Sequence, residues 1–356
     1  MNILISPLNW GLGHACRIVP IIKSLIDNHN ITIAATGEAF DFLKSNFPNL
    51  KIQKTHDFSF KYSQNPNFTA ISVFFQFYKL ILLYIQNKKW VKQYQKNNKI
   101  DLIISDNNFG FFSKKTKSVF ITHQINIQAK WKILIKIIFW LNKINIQKFS
   151  HCLIPDNNLE FKISGILSEP NKISIPTKYI GILSHLQNIP QNISKPTIDV
   201  LCLISGIEPQ RSVLEKTIFN VFQNTKIQTT IVGGKTSTLQ NAQYHNIHYL
   251  SFANSTTMSK FIKSADLIIA RAGYSTICDL IGLQKTAILI PTPNQTEQEY
   301  LAKHLLNNKL FYFLEQKKIN LENILYFSKI KSQYQQNIEK LNLQFFEPQN
   351  INFLLK

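Results

Sequence analysis

Cysteine is scarce in this chain of 356 residues. The four cysteines, Cys16, Cys152, Cys202 and Cys278, lie far apart and form no C-x-x-C pair. Neither a disulfide framework nor a cysteine-based zinc site is therefore expected, and we interpret them as small buried thiols. The sequence also has no D-x-D motif and no His/Cys cluster, so we predict no metal site.

Long apolar runs are absent as well. No stretch reaches 18 uncharged apolar residues, so no transmembrane helix is predicted. The N-terminus does not resemble a signal peptide, because Met1-Asn2 leads directly into Ile3-Leu4-Ile5 without a basic segment before it. Together these absences predict a cytoplasmic protein.

Acidic residues are half as numerous as basic ones: 20 against 40, for a net charge of +20. Such a charge can indicate a nucleic-acid or an anionic membrane partner. The lysines are spread along the chain, and no RNA-binding or helix-turn-helix signature is present, so we expect no nucleic acid. We interpret the charge as compositional drift with some attraction to a membrane surface.

Arginine is the rarest basic residue. Only Arg17, Arg211 and Arg271 occur, each close to a glycine-containing turn between a predicted strand and a helix. A planar guanidinium binds phosphate or carboxylate in a bidentate manner that lysine cannot reproduce. Their retention in a lysine-rich chain indicates anion binding.

Short apolar, β-branched runs alternate with longer amphipathic stretches. This pattern is typical of parallel strands buried on both faces and joined by helices, and it predicts an α/β fold with two doubly wound, Rossmann-like domains. The predicted strands are Asn2–Ser6, Ile31–Ala35, Asp101–Ser105, Ser118–Thr122, Cys152–Ile154, Asp199–Ile204, Thr229–Val232, Asp266–Ala270 and Ala287–Ile290.

The alternation restarts near residue 198. The polar segment 184–197, with Pro190 and Pro196, reads as an interdomain linker. We therefore predict an N-terminal domain over residues 1–183, a C-terminal domain over 198–330, and a helical segment over 331–356 that crosses back to the first domain.

The first glycine turn follows the first predicted strand and contains Gly11, Gly13 and His14. Glycines allow close approach to a ligand, and the following helix presents free N–H groups. Because Cys16 replaces the last glycine of G-x-G-x-x-G, this is a weak dinucleotide motif but a plausible ligand-facing turn. His14 is a candidate general base, and a capping or packing histidine is the alternative.

A second turn follows the predicted strand Asp266–Ala270. Gly273, Ser275 and Thr276 offer backbone N–H groups and hydroxyls to a diphosphate at the start of a helix. Asp279, about one helical turn further on, either accepts hydrogen bonds from ribose hydroxyls or complements the helix dipole.

Three other loops follow predicted strands. Ser205-Gly206 with Arg211 comes after one of them, and Gly233-Gly234 after the next. After Pro291, Thr296 and Glu299 predict a capping box, which places Glu297 and Gln298 in the first turn of the following helix.

These turns together resemble the GT-B glycosyltransferases, and within them the MurG-like family with a family 28 C-terminal domain. The resemblance is sharpest at Asn9–Arg17 and over Ala270–Ala302, where Arg-Ala-Gly-Tyr-Ser-Thr precedes Asp279, Gly282, a Pro-Thr-Pro segment and Glu297-Gln298. It implies two Rossmann-like domains facing a central cleft, a UDP-sugar co-substrate, and neither cofactor nor metal.

The resemblance also implies roles for single residues. The Gly273 turn would hold the diphosphate, Asp279 the ribose and Gln298 the donor sugar. Phe252 and Ala253 match the family's loop that contacts the nucleotide base. Ser205 and Arg211 match its first donor-side loop, and His14 matches its proposed general base.

With its departures from MurG, the chain resembles a separate bacterial branch of the MurG-like family. The N-terminal loop lacks the fuller glycine run, the Ser205–Arg211 loop lacks a second glycine, and Asp279 replaces the usual glutamate. We therefore expect a hexosyltransferase that moves a hexose or N-acetylhexosamine from a UDP-sugar to an acceptor hydroxyl, with His14 as base. Asp106 is an alternative base or an orienting group. A UDP-sugar 2-epimerase and a non-catalytic nucleotide-sugar-binding subunit are the alternatives.

Two aromatic, lysine-containing stretches, Ile71–Trp90 and Lys130–Lys143, have helical spacing. They fit helices at a membrane interface and helices packed on a sheet equally well. If they are helices at a membrane interface, we expect a lipid-linked acceptor and a peripheral position on the inner face of the plasma membrane.

Overall fold

The computed structural model describes residues 1–56, 69–128, 132–170, 173–187, 189, 198–236 and 240–355, without the side chains of 69–77 and 132–134. By their internal contacts these residues divide into two compact units, with the division between Leu183 and Ser184. The first unit also includes residues 343–355, and the second also includes residues 69–73. Most of the predicted linker, residues 188 and 190–197, lies outside the described residues, as do Lys130 and Trp131.

The first unit is built on a parallel sheet. Its strands within the described residues are β1 (Asn2–Pro7), β2 (Asn30–Ala35), β3 (Lys51–Lys54), β4 (Leu102–Asp106), β5 (Lys117–Ile121), β6 (His151–Ile154) and β7 (Thr177–Tyr179). They are ordered β3-β2-β1-β4-β5-β6-β7. Since β1 pairs with β2 on one side and with β4 on the other, the strand order reverses there, and a crevice forms at the carboxyl ends of β1 and β4.

The second unit repeats this plan. Its strands are β8 (Ile198–Leu203), β9 (Thr229–Val232), β10 (Asn241–Tyr244), β11 (Ile247–Leu250), β12 (Ala265–Arg271), β13 (Ile288–Ile290) and β14 (Tyr312–Phe313). In the order β10-β11-β9-β8-β12-β13-β14, only the β10–β11 pair is antiparallel in the part that the structure describes. The order reverses between β8 and β12.

Helices connect the strands. They are α1 (Gly13–Leu25), α2 (Gly37–Asn46), α3 (Thr69–Asn97), α4 (Lys132–Ile146), α5 (Gln210–Phe222), α6 (Ser255–Ser264), α7 (Tyr274–Gly282), α8 (Thr296–Asn307) and α9 (Leu321–Glu339). Helix α1 buries Ile18, Ile22 and Leu25 on the sheet, and α5 buries Leu214 and Ile218.

The predicted α/β class with two doubly wound sheets is confirmed, and all nine predicted runs form strands. Prediction missed β3, β7, β10, β11 and β14. Four of these are polar or half-exposed along their length, and β11 is buried only at alternate residues, so none contains a continuous apolar run.

The C-terminal residues differ from the single helical segment expected over 331–356. Helix α9 begins earlier, at Leu321, and stays in the second unit, where Tyr334 and Ile338 are buried. The return to the first unit is made by residues 343–355, through the Phe346 N–H that donates to the Ile182 carbonyl at 3.0 Å. Gly181, at φ +85°, permits this contact because a Cβ there would lie 2.6 Å from Phe345.

Candidate functional site

Three charged or titratable residues of the first unit meet where its strand order reverses. Asp106 ends β4, while His14 and Arg17 lie on the first two turns of α1, which follows β1. His14 and Arg17 are three positions apart and so share one helix face. The turn before them is made possible by Gly11 in the left-handed region at φ +69°; Gly13 is the first residue of α1.

Arg17 binds Asp106 with two nitrogens. Its Nε donates to Oδ2 at 3.0 Å, and its Nη2 donates to Oδ1. Both side chains are buried, Asp106 completely. Arg17 also donates through Nη1 to His123 Nδ1 at 2.6 Å, which adds a second histidine, located just after β5. Buried bidentate pairs of this kind hold both groups in fixed orientations.

His14 Nδ1 faces both members of the pair. It lies 2.8 Å from Arg17 Nη2 and 3.3 Å from Asp106 Oδ1. The guanidinium can only donate and the carboxylate can only accept, so Nδ1 accepts from Arg17 in one tautomer and donates to Asp106 in the other. Only the second tautomer leaves a lone pair on Nε2.

Asp106 is ionised in this setting. Burial by itself would raise the pKa of its carboxyl, but the adjacent Arg17 and His14 lower that pKa to about 2. An ionised carboxylate cannot serve as the initial proton donor and is a weak base, so its geometry suits orientation of His14 better than proton abstraction.

In the second unit, Arg271 ties several loops together. Its guanidinium, fully buried at the end of β12, donates to the carbonyl of Gln210 at 2.6 Å, of Pro291 at 3.3 Å and to Gln316 Oε1 at 2.7 Å. Burial lowers the pKa of Arg271 to about 9. Arg271 therefore holds the loops of Gln210, Pro291 and Gln316 together, and its predicted part in donor binding stays a prediction.

Arg211 lies on the first turn of α5 and reaches the neighbouring loop. Its Nε donates to Glu208 Oε1 and its Nη1 to the Gly234 carbonyl, each at 3.0 Å. Gly206, at φ +107°, places the Ser205 loop beside Thr292. A Cβ added at this glycine would lie 3.8 Å from Thr292 Oγ1. A Cβ at Gly233 would meet Tyr249 Oη at 2.7 Å. The predicted donor-side loops after β8, β9 and β13 are thus brought together.

Helix α7 begins at Tyr274, three residues before the predicted start at Ile277. Gly273 is its N-cap, and Ser275 and Thr276 lie in its first turn, with backbone N–H groups directed out of the helix start. Asp279 lies further along α7, and its contact with ribose stays a prediction. Its buried carboxylate accepts from Ser184 Oγ at 2.7 Å and from the His185 N–H at 3.0 Å.

The predicted capping box at α8 is wrong by one position. The N-cap is Gln295, so Thr296 is already helical, and the Glu299 carboxylate accepts from the Asn294 N–H at 2.9 Å. Asn294 adopts φ +64°, which turns the chain into the helix one residue earlier than the Thr-x-x-Glu pattern indicates. Glu297 and Gln298 lie in the first turn, as predicted.

Gln298 is buried and turns its Oε1 toward the preceding loop, where it accepts from the Thr292 N–H at 2.8 Å. Its Nε2 is the atom left to donate to a ligand. Phe252 and Ala253 follow β11, immediately before Asn254, whose Oδ1 accepts from the Thr257 N–H and caps α6.

Sequence reasoning missed five residues that the structure joins to these clusters, namely His123, Ser184, His185, Gln210 and Gln316. His123 could have been found, since it is a polar residue following a buried strand. The others are brought in by long-range packing. Among the described residues, no group of three or more His, Cys, Asp or Glu side chains is arranged to hold a metal ion.

Comparison with known families agrees with the two-unit architecture. The model of the glycosyltransferase family 28 C-terminal domain matches residues 203–347, and that of glycosyl transferase family 1 matches residues 1–128. A relative from Rickettsia felis, UDP-N-acetylglucosamine--N-acetylmuramyl-(pentapeptide) pyrophosphoryl-undecaprenol N-acetylglucosamine transferase, is 40% identical over 81 residues. That match spans 22% of this chain and 22% of the relative.

Solved structures share the fold along the whole chain. Spinosyn rhamnosyltransferase SpnG complexed with thymidine diphosphate superposes with a TM-score of 0.66 at 12% identity, covering 100% of both chains. MurG of Acinetobacter baumannii gives a TM-score of 0.56 at 14% identity, covering 99% of this chain and 98% of that one. At these identities the likeness establishes the fold.

Proposed function

We propose that this chain, which has the GT-B fold and whose residues 203–347 match the glycosyltransferase family 28 C-terminal domain, moves a hexose or N-acetylhexosamine from a UDP-sugar to an acceptor hydroxyl. The observation that carries this proposal is the pairing of His14, at the start of α1, with the buried Asp106 at the end of β4. A histidine oriented by an ionised carboxylate is the arrangement that proton abstraction from a hydroxyl requires.

In the proposed reaction His14 acts through Nε2. When Nδ1–H donates to Asp106, the Nε2 lone pair takes the proton of the acceptor hydroxyl. The acceptor oxygen then forms a bond to the anomeric carbon of the donor, and the bond between that carbon and the diphosphate oxygen breaks, releasing UDP. Arg17 holds Asp106 in place and competes with it for His14 Nδ1.

The donor contacts come from the second unit. The N-terminus of α7 at Gly273, with Ser275 and Thr276, supplies N–H groups and a positive dipole end for the diphosphate, and Arg211, at the start of α5, supplies a cation. These groups stabilise the negative charge that develops as UDP leaves. In this proposal the protein itself supplies the charge stabilisation, without a bound metal. Gln298 Nε2 would donate to the donor sugar, and the loop of Phe252 and Ala253 would contact the base.

A lipid-linked acceptor fits the surface of α3 and α4. Both helices pack against one cluster of buried side chains, through Tyr84 and Phe139. Their outer faces expose large apolar side chains, each between 42% and 60% exposed: Tyr78, Ile81, Leu82 and Ile85 on α3, and Ile137 and Trp140 on α4. We call these six residues the apolar face.

Exposed lysines accompany this apolar face, Lys88 and Lys89 on α3 and Lys136 on α4. Contiguous apolar side chains with lysines beside them are typical of helices that lie in a membrane interface. Within the described residues no helix is long and apolar enough to cross a membrane. We therefore propose peripheral attachment to an anionic membrane surface, where the acceptor would be found.

The donor class is tested by thermal unfolding with a panel of nucleotides. A ligand at about 100 times its Kd stabilises the folded state by about 2.7 kcal/mol, which is readily measured. We expect UDP and UDP-sugars to raise the melting temperature and NAD and adenine nucleotide sugars to leave it unchanged. Stabilisation by NAD but not by UDP-sugars would contradict the proposed donor.

A further inference from the structure

A buried asparagine joins two strands and a helix of the first unit. Asn108, in the loop after β4, donates through Nδ2 to Ser6 Oγ of β1 at 3.1 Å, and its Oδ1 accepts from Asn87 Nδ2 of α3 at 3.1 Å. Its backbone carbonyl accepts from Ser105 Oγ of β4 at 2.5 Å. All four side chains are buried, so these hydrogen bonds are shielded from water and hold the loop in one arrangement.

This network lies on the opposite face of the sheet from the pair of His14 and Asp106. Ser6 and Ser105 are register partners in β1 and β4, and the next partners along are Pro7 and Asp106. Successive residues of a strand point to opposite faces, so Ser105 points to the side of α3 while Asp106 points to the side of α1. The network therefore ties the carboxyl ends of β1 and β4 together directly behind the pair.

Helix α3 lies very close to the loop after β4. A Cβ added at Gly110 would lie 2.6 Å from Asn87 Cβ and 2.9 Å from the Tyr84 carbonyl oxygen, so glycine is required for this approach. Because the loop and the helix are in contact along these residues, the hydrogen bond between Asn87 and Asn108 joins two segments that cannot shift independently.

We propose that Asn108 is a positioning residue for the pair of His14 and Asp106, and that α3 holds Asn108 through Asn87. The contact between His14 and Asp106 depends on the spacing of the carboxyl ends of β1 and β4, and Asn108 fixes that spacing. This inference rests on the proposed function, because it takes His14 as the base. Each asparagine acts through the placement of Asp106.

The expected consequence of losing Asn108 is a change in the tautomer of His14. Its Nδ1 lies 3.3 Å from Asp106 Oδ1 and 2.8 Å from Arg17 Nη2. His14 and Arg17 belong to the same helix and move together, so a shift of β4 weakens the longer contact with Asp106 first. Nδ1 then accepts from Arg17, the ring proton resides on Nε2, and that nitrogen can no longer act as a base.

The test uses the full chain with Asn108→Ala, and Asn246→Ala as the control. Asn246, 7% exposed against 8% for Asn108, donates to the carbonyls of Phe222 and Ile227 in the second unit. NMR of the histidine ring nitrogens distinguishes the two tautomers without any substrate, with His14 assigned from the spectrum of His14→Ala. We expect Asn108→Ala to lower the Nδ1–H share of His14 and Asn246→Ala to leave it unchanged, although both should melt at lower temperature.

Turnover supplies a second readout. In Asn108→Ala we expect kcat for UDP release with acceptor-containing membranes to fall by about tenfold or more, and KM for the UDP-sugar to stay unchanged, because the donor contacts come from the second unit. If that variant does not fold, Asn87→Ala removes the same contact from α3 and serves in its place.

The outcomes separate this inference from the proposed function. An unchanged tautomer share for His14 in a folded variant would overturn the inference, and so would an equal change in Asn246→Ala. A changed tautomer share, with no turnover by any of the proteins including the wild type, would support the positioning of His14 by Asn108 and overturn the proposed function.

Discussion

Asp106 Oδ1 lies 3.3 Å from His14 Nδ1, and both atoms are within reach of the same Arg17 nitrogen. The carboxylate thus has two functions at once. It neutralises a buried guanidinium, which affects stability, and it accepts from the histidine in the tautomer that acts as a base, which affects catalysis. These two functions predict different measurements.

The stability function depends on acid pH. The folded-state pKa of Asp106, about 2, lies below its usual value of 3.8. Its contribution of about 2 kcal/mol is therefore fully present above pH 4 and is lost as the pH falls toward 2. The free energy of unfolding of the wild type, measured with urea, should therefore fall as the pH is lowered from 4 to 2. Asp106→Asn should be less stable at pH 7 by about 3 kcal/mol, because Arg17 stays buried without a counter-charge, and should lack this acid-dependent component. Parallel pH dependences for the two proteins would contradict the assignment.

Substituting Arg271 should disturb the donor side without touching His14. Arg271→Lys keeps the charge but cannot reach Gln210, Pro291 and Gln316 together, so buried acceptors lose their donors. We expect a loss of about 2 kcal/mol in stability and weaker UDP binding, measured by thermal unfolding and calorimetry. Wild-type UDP affinity in a folded Arg271→Lys protein would show that the anchored loops do not shape the donor site.

Two glycines form a matched pair for testing backbone requirements. Gly11 and Gly234 both lie in the left-handed region, at φ +69° and +65°. A Cβ at Gly11 meets nothing within 4 Å, whereas one at Gly234 would lie 2.7 Å from the Ile204 carbonyl oxygen. Gly11→Ala should cost about 1 kcal/mol and Gly234→Ala clearly more. Equal losses in unfolding free energy would mean that the clash at Gly234 relaxes without cost.

Membrane attachment should depend on the apolar face. Replacing Ile81, Leu82, Ile137 and Trp140 by serine should reduce binding to phosphatidylglycerol-containing vesicles by about 10³-fold, because each apolar side chain contributes about 1 kcal/mol or more on insertion. Binding of the wild type should also weaken at high salt. Leu325→Ser with Tyr326→Ser removes apolar side chains that are equally exposed on α9 and serves as the control. Equal binding by all three proteins would exclude the apolar face as the attachment surface.

The sequence predicted the buried framework better than the sites that depend on packing. Strands β1, β4 and β12 were evident because both of their faces are buried, which requires continuous apolar runs. The edge strands β3 and β14 are not buried on both faces, so their sequences contain no continuous apolar run that would predict a strand. Helix α8 was found, but its start was placed one residue late because the turn at Asn294 is set by backbone conformation.

The candidate site shows the same division. His14 and Asp106 became candidates because each follows a predicted strand, yet their pairing across 92 positions depends on β1 lying beside β4. Asp279 lies on the helix after the Gly273 turn, as predicted, and its contact with ribose stays a prediction. Its contacts with Ser184 and His185, in a segment whose polar composition indicated a linker, depend on tertiary packing that no local pattern records.

The most direct test of the account is release of UDP from a UDP-sugar, with and without acceptor-containing membranes, by the wild type and by His14→Ala. We predict release that requires the acceptor and falls by about 10²-fold or more in the variant, with UDP affinity unchanged, because only the base is removed. Release at the wild-type rate by His14→Ala, or consumption of the UDP-sugar without any acceptor as an epimerase would show, would contradict it.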